Sequence, residues 1–318
     1  MRARRLTLPV LVAALVAATA PAPGGAAEPP VEWREVFSPD GTITRTAVPV
    51  AAGTAAVPSE VVADVVPIQR TGPSDQRFDL VFVGDGYTAS ELGAYHEHAV
   101  GKWNELAAVE PFKSYRQYFN VWRVDVVSRE SGVDHDPVLG TAKDTALDMG
   151  FWCQGRDPST ERLLCVDQTK AGRFGALAPG ADQVVALGNT AKYGGAGGGV
   201  ATASGANEQA GQIVVHELGH SIGGLADEYD YPYDRYTGAE PSEPNATADP
   251  TGGKWSAYLG RVSPDGGTVG AYEGSRYYKR GLYRPTENSI MRTLGREFNL
   301  IGRDAMIAAF KEEIPELR

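Results

Sequence analysis

Residues 216–229 read HELGHSIGGLADEY, and no other stretch constrains the chain as tightly. Side chains four residues apart share one face of an α-helix, about one turn apart. His216 and His220 can therefore aim both imidazoles at one zinc ion, at about 2 Å each. Glu217 lies about 100° further round the helix. From there it can reach a zinc-bound water without ligating the metal, as a general base must. Ile213, Val214, Val215, Leu218 and Ile222 supply an apolar side that can bury the helix, and Asn207 is a suitable N-cap. Gly223 and Gly224 mark the place where the helix stops, and Asp227 and Glu228 follow at once. A catalytic zinc takes three protein ligands and keeps one position for water, so a carboxylate returning from this turn is the missing ligand. The competing reading is a helix with two surface histidines and an ordinary acidic loop. Only five histidines occur in the whole chain and two fall in this pattern, which weighs against it.

The rest of the chain indicates an α/β or α+β domain built on a mixed sheet. FDLVFVGDGY (78–87) is an apolar run ending in a Gly-rich turn, expected to be a buried strand. From Ser90, the residues Leu92, Tyr95, Ala99, Trp103 and Leu106 recur at helical spacing until Pro111 closes the run. YFNVWRVDVVS (118–128) and DQVVALGN (182–189) are two further strands, and KYGGAGGGVATAS (192–204) is a loop leading into a short fourth. That Gly-rich stretch lacks the Lys-Ser/Thr of a phosphate loop. It is either an edge that pairs with an extended peptide or a surface loop. Beyond Tyr229 periodicity fades until GRDAMIAAFKEEI (302–314), an amphipathic closing helix. A long irregular stretch inside a domain is usually a functional lobe. His96 and His98 are expected to be surface residues, and Asp134-His135-Asp136 a solvated loop.

The amino terminus has the anatomy of a secretory signal peptide. Arg2, Arg4 and Arg5 precede an apolar run from Leu6 to Ala18, with Gly25 and Ala27 at the −3 and −1 positions of a cleavage site. The run is too short to span a bilayer, which takes about 20 residues. The expected organisation is a signal peptide at 1–27, a strand and linker segment at 28–76, and a catalytic domain at 77–318. Losing the three arginines takes the formal net charge from −10 to −13, a poor match to nucleic acid or an anionic membrane. Cys153 and Cys165 are the only cysteines, and after export they are expected to form a disulfide.

HExxHxxGxx with a nearby third ligand resembles the metzincin pattern, in which the glycine lets the chain turn back to the metal. Asn288-Ser289-Ile290-Met291-Arg292 looks like the methionine-containing turn that lies beneath the zinc in that group, which implies that role for Met291. The combination of HELGHSIGGLADEY, KW (254–255), YEGSRYYKRGLYRP (272–285), SIMR (289–292) and FDLVFVGDGYTASEL (78–92) resembles a narrower family. These are the bacterial secreted metallopeptidases named after an immunoglobulin A-cleaving member, and the resemblance spans roughly residues 77–314. It implies a metzincin-like zinc peptidase domain with an active-site helix and Met-turn. One departure stands out. The usual third metzincin ligand falls three residues after the glycine, where this chain has Ala226, which cannot bind zinc. The ligand is then Asp227, Glu228 or a distant residue, and Asp227 is favoured because a short side chain suits a tight return. Tyr229 or Tyr283 could donate a hydrogen bond to the oxyanion, or either could be core.

The expected protein is a secreted, Zn²⁺-dependent endopeptidase acting on a protein or peptide substrate, with Glu217 as the base that activates water. The alternatives are a zinc amide hydrolase acting on cell-wall peptides and a catalytically silent, zinc-containing binding module. Glu217 argues against the last, since a structural site has no use for a general base. Substrate specificity and oligomeric state are not encoded in any motif.

Overall fold

The computed structural model describes residues 30–50 and 63–318; the expected signal peptide lies outside the described residues. The chain enters as an antiparallel hairpin, β1 (Val31–Phe37) and β2 (Ile43–Pro49), with Val31 opposite Pro49 and Phe37 opposite Ile43. The closed end of this hairpin is apolar and buried at Phe37 and Ile43, so the hairpin is docked on the body of the protein.

Six strands then form the main sheet: β3 (Ala63–Gln69), β4 (Phe78–Asp85), β5 (Phe119–Val126), β6 (Gln183–Gly188), β7 (Gly195–Ala196) and β8 (Ala201–Ser204). Their spatial order is β3-β5-β4-β6-β8-β7. The four inner strands run parallel, and the two edges, β3 and β7, are antiparallel to their neighbours. Because side chains alternate along a strand, Leu80 and Phe82 of β4 join one core while Val81 and Val83 join another. Burial on both faces explains the unbroken apolar run in the sequence.

On the first face lie α1 (Leu92–Leu106), the single turn α2 (Phe112–Tyr115), and two later helices introduced below. α1 buries Tyr95, Ala99, Trp103 and Leu106, the residues whose spacing marked it. A 3-10 turn over Ala89–Glu91 precedes it, so the α-helix starts two residues after Ser90. The second face is covered by α3 (Gln168–Gly175) and by an irregular segment bridged by the Cys153–Cys165 disulfide, as the sequence indicated.

From β8 the chain passes through a 3-10 turn, where Asn207 Oδ1 accepts the Gln209 N–H at 3.0 Å, into α4 (Gly211–Ser221). This helix buries Ile213, Val214, Val215 and Leu218 against the sheet. Next comes the lobe that showed no periodicity. Its regular part is a three-stranded sheet of β9 (Tyr233–Arg235), β10 (Tyr272–Ser275) and β11 (Tyr278–Arg284), in the order β10-β11-β9. Side-chain to backbone bonds fix the remainder. Lys254 Nζ donates to the carbonyls of Pro241, Glu243 and Ala246 at 2.6, 3.1 and 2.6 Å. α5 (Leu300–Glu313) closes the chain with Met306 and Phe310 in the first core. The architecture is mixed α+β. Among the described residues no helix is long and apolar enough to cross a membrane.

Candidate metal centre and active site

α4 presents His216 and His220 on one face, with their Nε2 atoms 3.1 Å apart. Each Nδ1 meets a backbone carbonyl, Ile290 O at 3.0 Å for His216 and Leu225 O at 2.7 Å for His220. A carbonyl only accepts, so the ring donates through Nδ1 and a neutral ring turns its Nε2 lone pair inward. Two inward lone pairs at this distance repel unless a cation lies between them.

Both carbonyl partners come from the elements the sequence singled out. Gly224, at φ +59°, ends the helix in a left-handed conformation that L side chains rarely adopt. Its N–H bonds His220 O at 3.0 Å, and the Leu225 N–H reaches back to Gly219 O at 3.1 Å. The chain then doubles back past Ala226. Asn245 holds that residue through both backbone groups, accepting its N–H at 2.7 Å and donating to its carbonyl at 2.9 Å.

The turn aims its two carboxylates in opposite directions. Asp227 Oδ1 lies 3.3 Å from the Nε2 of each histidine, and beyond these two rings this buried oxygen has no hydrogen-bond partner among the described residues. Its other oxygen accepts from Tyr277 OH at 2.6 Å. Glu228 points the other way, where Oε1 accepts from Asn245 and Asn299 and Oε2 accepts from Ser289 at 2.7 Å. Burial raises the Glu228 carboxyl above its usual range, against the pull of these donors. The Glu228 N–H also bonds Met291 O at 2.8 Å. Met291 itself lies beneath the helix. A Cβ placed on Gly219 would come within 2.7 Å of Met291 Sδ.

A fourth group completes the cluster, and it is one the sequence did not reveal. Glu35, in β1, sets Oε2 3.4 Å from His216 Nε2 and 3.7 Å from His220 Nε2. Its other oxygen accepts from Tyr229 OH. Ligand atoms of Glu35, His216, His220 and Asp227 all lie within 4.8 Å of one another. The electrostatics follow from this crowding. Burial alone would depress His216, but hydrogen bonds to Asp227 and then Glu35 outweigh it and raise the imidazole to about 10. For Asp227, burial would raise the carboxyl, but the two imidazoles, His220 foremost, pull it well below the carboxylate range.

Glu217 stands beside this cluster rather than in it. Its carboxyl is buried, and among the described residues Oε1 has no hydrogen-bond partner. Burial, with the negative charge of Glu35 next, lifts it to about 7. Across the cleft, a Cβ on Gly197 would fall 2.3 Å from Glu217 Oε2, so any larger residue there must push the Glu217 carboxylate aside. The cleft encloses about 520 Å³ and opens between β1, the β7 edge and α4. Tyr283 stands apart, pairing through its backbone with Thr247 and Glu273, and does not line the cleft.

Tyr277 and Asn245 also escaped sequence reading, since both sit in the stretch without periodicity. His98, expected on the surface, is half-buried with Nδ1 2.9 Å from Tyr87 OH. The Asp134–Asp136 loop is satisfied by its own chain, Asp134 accepting from Lys143 N–H and Asp136 from Thr190 OH.

The chain matches the family described as IgA Peptidase M64 over residues 66–265 and 259–310. No curated protein matches it.

Proposed function

Because the chain belongs to the IgA Peptidase M64 family and is therefore a peptidase, we propose that it is an exported zinc metalloendopeptidase whose metal is held by His216, His220 and Asp227. One observation carries the assignment. Three donors, Nε2 of buried His216, Nε2 of partly exposed His220 and the buried Asp227 Oδ1, converge within 3.3 Å of one another, and among the described residues the aspartate oxygen has no further hydrogen-bond partner. Nitrogen and carboxylate oxygen at this spacing suit zinc, and three protein ligands are the number a catalytic site uses. Glu228 is already engaged by three side-chain donors, which supports Asp227 as the third ligand.

Zinc, when bound, supplies a Lewis acid that polarises a carbonyl and acidifies water. The remaining work falls to the chain. The backbone carbonyls of Ile290 and Leu225 fix the ring orientations, as outer partners of metal-bound histidines generally do. Glu217, lifted toward neutrality in its dry pocket, takes the proton from the attacking water and returns it to the leaving amine. The Tyr229 hydroxyl, which donates to Glu35, stands next to the metal donors, where it would donate to a developing oxyanion once Glu35 is displaced. Just past β7, the Gly197 carbonyl lies at the cleft, an acceptor that an extended peptide can use. The amino-terminal residues 1–27 are read as an export signal.

The test is digestion of a pooled peptide library with and without chelator, run on the unaltered chain and on Glu35→Ala, which clears the cleft. Glu217→Gln in either background should keep about one zinc per chain and lose turnover by about 10²–10⁴-fold. Equal cleavage by Glu217→Gln and its parent would remove Glu217 from the mechanism. Zinc retained in both His216→Ala and His220→Ala would move the metal elsewhere.

A further inference from the structure

One wall of the cleft is the protein's own amino-terminal hairpin. Glu35 brings a carboxylate to the two histidines opposite the Asp227 turn, so the cluster has four protein donors where catalysis requires three and an opening. Four protein ligands are the mark of a closed, structural site. A buried general base beside the metal is the mark of a catalytic one. Both cannot describe the working enzyme, and the conflict disappears if one ligand is removable. Three of the four donors belong to one continuous helix and turn; Glu35 alone comes from a separate element.

Building on the zinc-peptidase reading, we propose that Glu35 is a fourth metal ligand that fills the position of water and scissile carbonyl, so that the hairpin of β1 and β2 holds the enzyme latent.

The hairpin's other contacts fit an occupant of the substrate cleft. Arg34 Nη1 donates to Gly197 O at 2.6 Å, taking an acceptor at the β7 edge that a bound peptide would use. Val36 and Val48 pack on Ala196 of β7. The Arg45 guanidinium stacks 3.7 Å over the ring of Tyr277, the residue that steadies Asp227. Tyr229 OH donates to Glu35, so the hairpin also takes up the hydroxyl beside the metal donors. The hairpin thus engages the metal donors, the edge strand and the tyrosine together, using non-covalent contacts throughout. Its anchored end is buried at Phe37 and Ile43, whereas Val31 and Trp33 at the open end are 59% and 47% exposed. Glu35 lies between them, so separation of the strands from the open end reaches it before the anchor is disturbed.

The test uses the full chain loaded with Co²⁺, whose visible absorption reports ligation, and acetohydroxamate as a small metal-directed probe. Three proteins are compared: unaltered, Glu35→Ala and Glu35→Gln. If Glu35 holds the position in at least nine molecules of ten, both variants should bind the probe at least about tenfold more tightly than the unaltered chain. Library cleavage should rise by at least as much. Glu35→Gln preserves size and the hydrogen bond to Tyr229 but is a poor metal ligand, so it separates ligation from packing. Equal probe affinity in all three proteins overturns the proposal, and so does a Glu35→Gln protein that behaves as the unaltered chain. Tighter probe binding without cleavage in either variant upholds the Glu35 ligation and refutes the peptidase reading. Equal cleavage by all three upholds the peptidase and refutes latency.

Discussion

Substituting Gly197 by alanine tests the catalytic geometry from across the cleft, without touching any charged group. The added methyl would stand 2.3 Å from Glu217 Oε2 and 2.8 Å from its Cδ. Ordinary contact begins near 3.4 Å, so the carboxylate must retreat by about 1 Å or the β7 edge must yield. Glu217 is the softer partner, because its Oε1 makes no hydrogen bond that would resist the shift. Misplacing a catalytic group by about 1 Å costs about 10²-fold in rate, equivalent to about 2.7 kcal/mol of barrier. That is the lower end of the loss expected from abolishing the base altogether. Stability should fall modestly, by about 1–3 kcal/mol if the crowding is only partly relieved. The assay is kcat/KM on a library-derived peptide in the Glu35→Ala background, with metal content and Tm recorded alongside. Gly199→Ala is the control, since a Cβ there meets nothing nearer than Gln168 Oε1 at 3.5 Å. A Gly197→Ala protein that folds, keeps its metal and retains activity within threefold of its parent would refute the reasoning. Glu217 would then have room to spare, and its placement could not be what the rate depends on.

Three other outcomes are expected. Asp227→Ala should lose zinc affinity in a chelator titration, while Glu228→Gln should keep it and lose about 1–3 kcal/mol of stability from its buried hydrogen bonds; the reverse pattern would reassign the ligand. Thiol titration of the unfolded, non-reduced protein should find no free cysteine, and replacing both by serine should cost about 3 kcal/mol for the 12-residue separation. Asp182 is raised to about 7 chiefly by burial, against the lowering hydrogen bond from the Asp79 N–H and helped by smaller repulsions from Glu313 and Asp79. The folded state therefore favours its protonated form, and stability is lost as pH climbs from about 4 through about 7. Because the group is partly exposed, the loss should be about 1–2 kcal/mol. Urea midpoints at pH 5 and pH 8 should diverge between the parent and Asp182→Asn, and parallel midpoints would remove Asp182 as the cause.

The sequence announced those parts whose local pattern and tertiary role coincide. β4 and β5 are buried on both faces and appear as apolar runs, and α1 carries its core contacts at helical spacing. The HELGH helix is legible for the same reason, since i and i+4 fix a shared face without help from the rest of the chain. Which of Asp227 and Glu228 faces the histidines was not legible with certainty, because the answer depends on Asn245 and Tyr277, remote in sequence. Glu35 was invisible. VEWREVF alternates as a strand should, but nothing in it says that the strand docks against a helix nearly two hundred residues away. The lobe after Tyr229 was opaque because lysine and asparagine side chains organise it through backbone carbonyls, and such bonds leave no period.

The two histidine Nδ1 bonds join α4 to segments that are synthesised after it. While residues 216–220 alone have emerged, the chain owns two imidazoles on a helix too short to persist by itself. Asp227 gains its orientation only when Tyr277 arrives, and His216 gains its carbonyl partner only with Ile290. The donor cluster is therefore complete only at the end of folding, after the carboxy-terminal third has docked. A partly made chain carries the HELGH signature but not yet the geometry that completes it. The long sequence separations that join the cluster make it one of the last parts of the molecule to assemble.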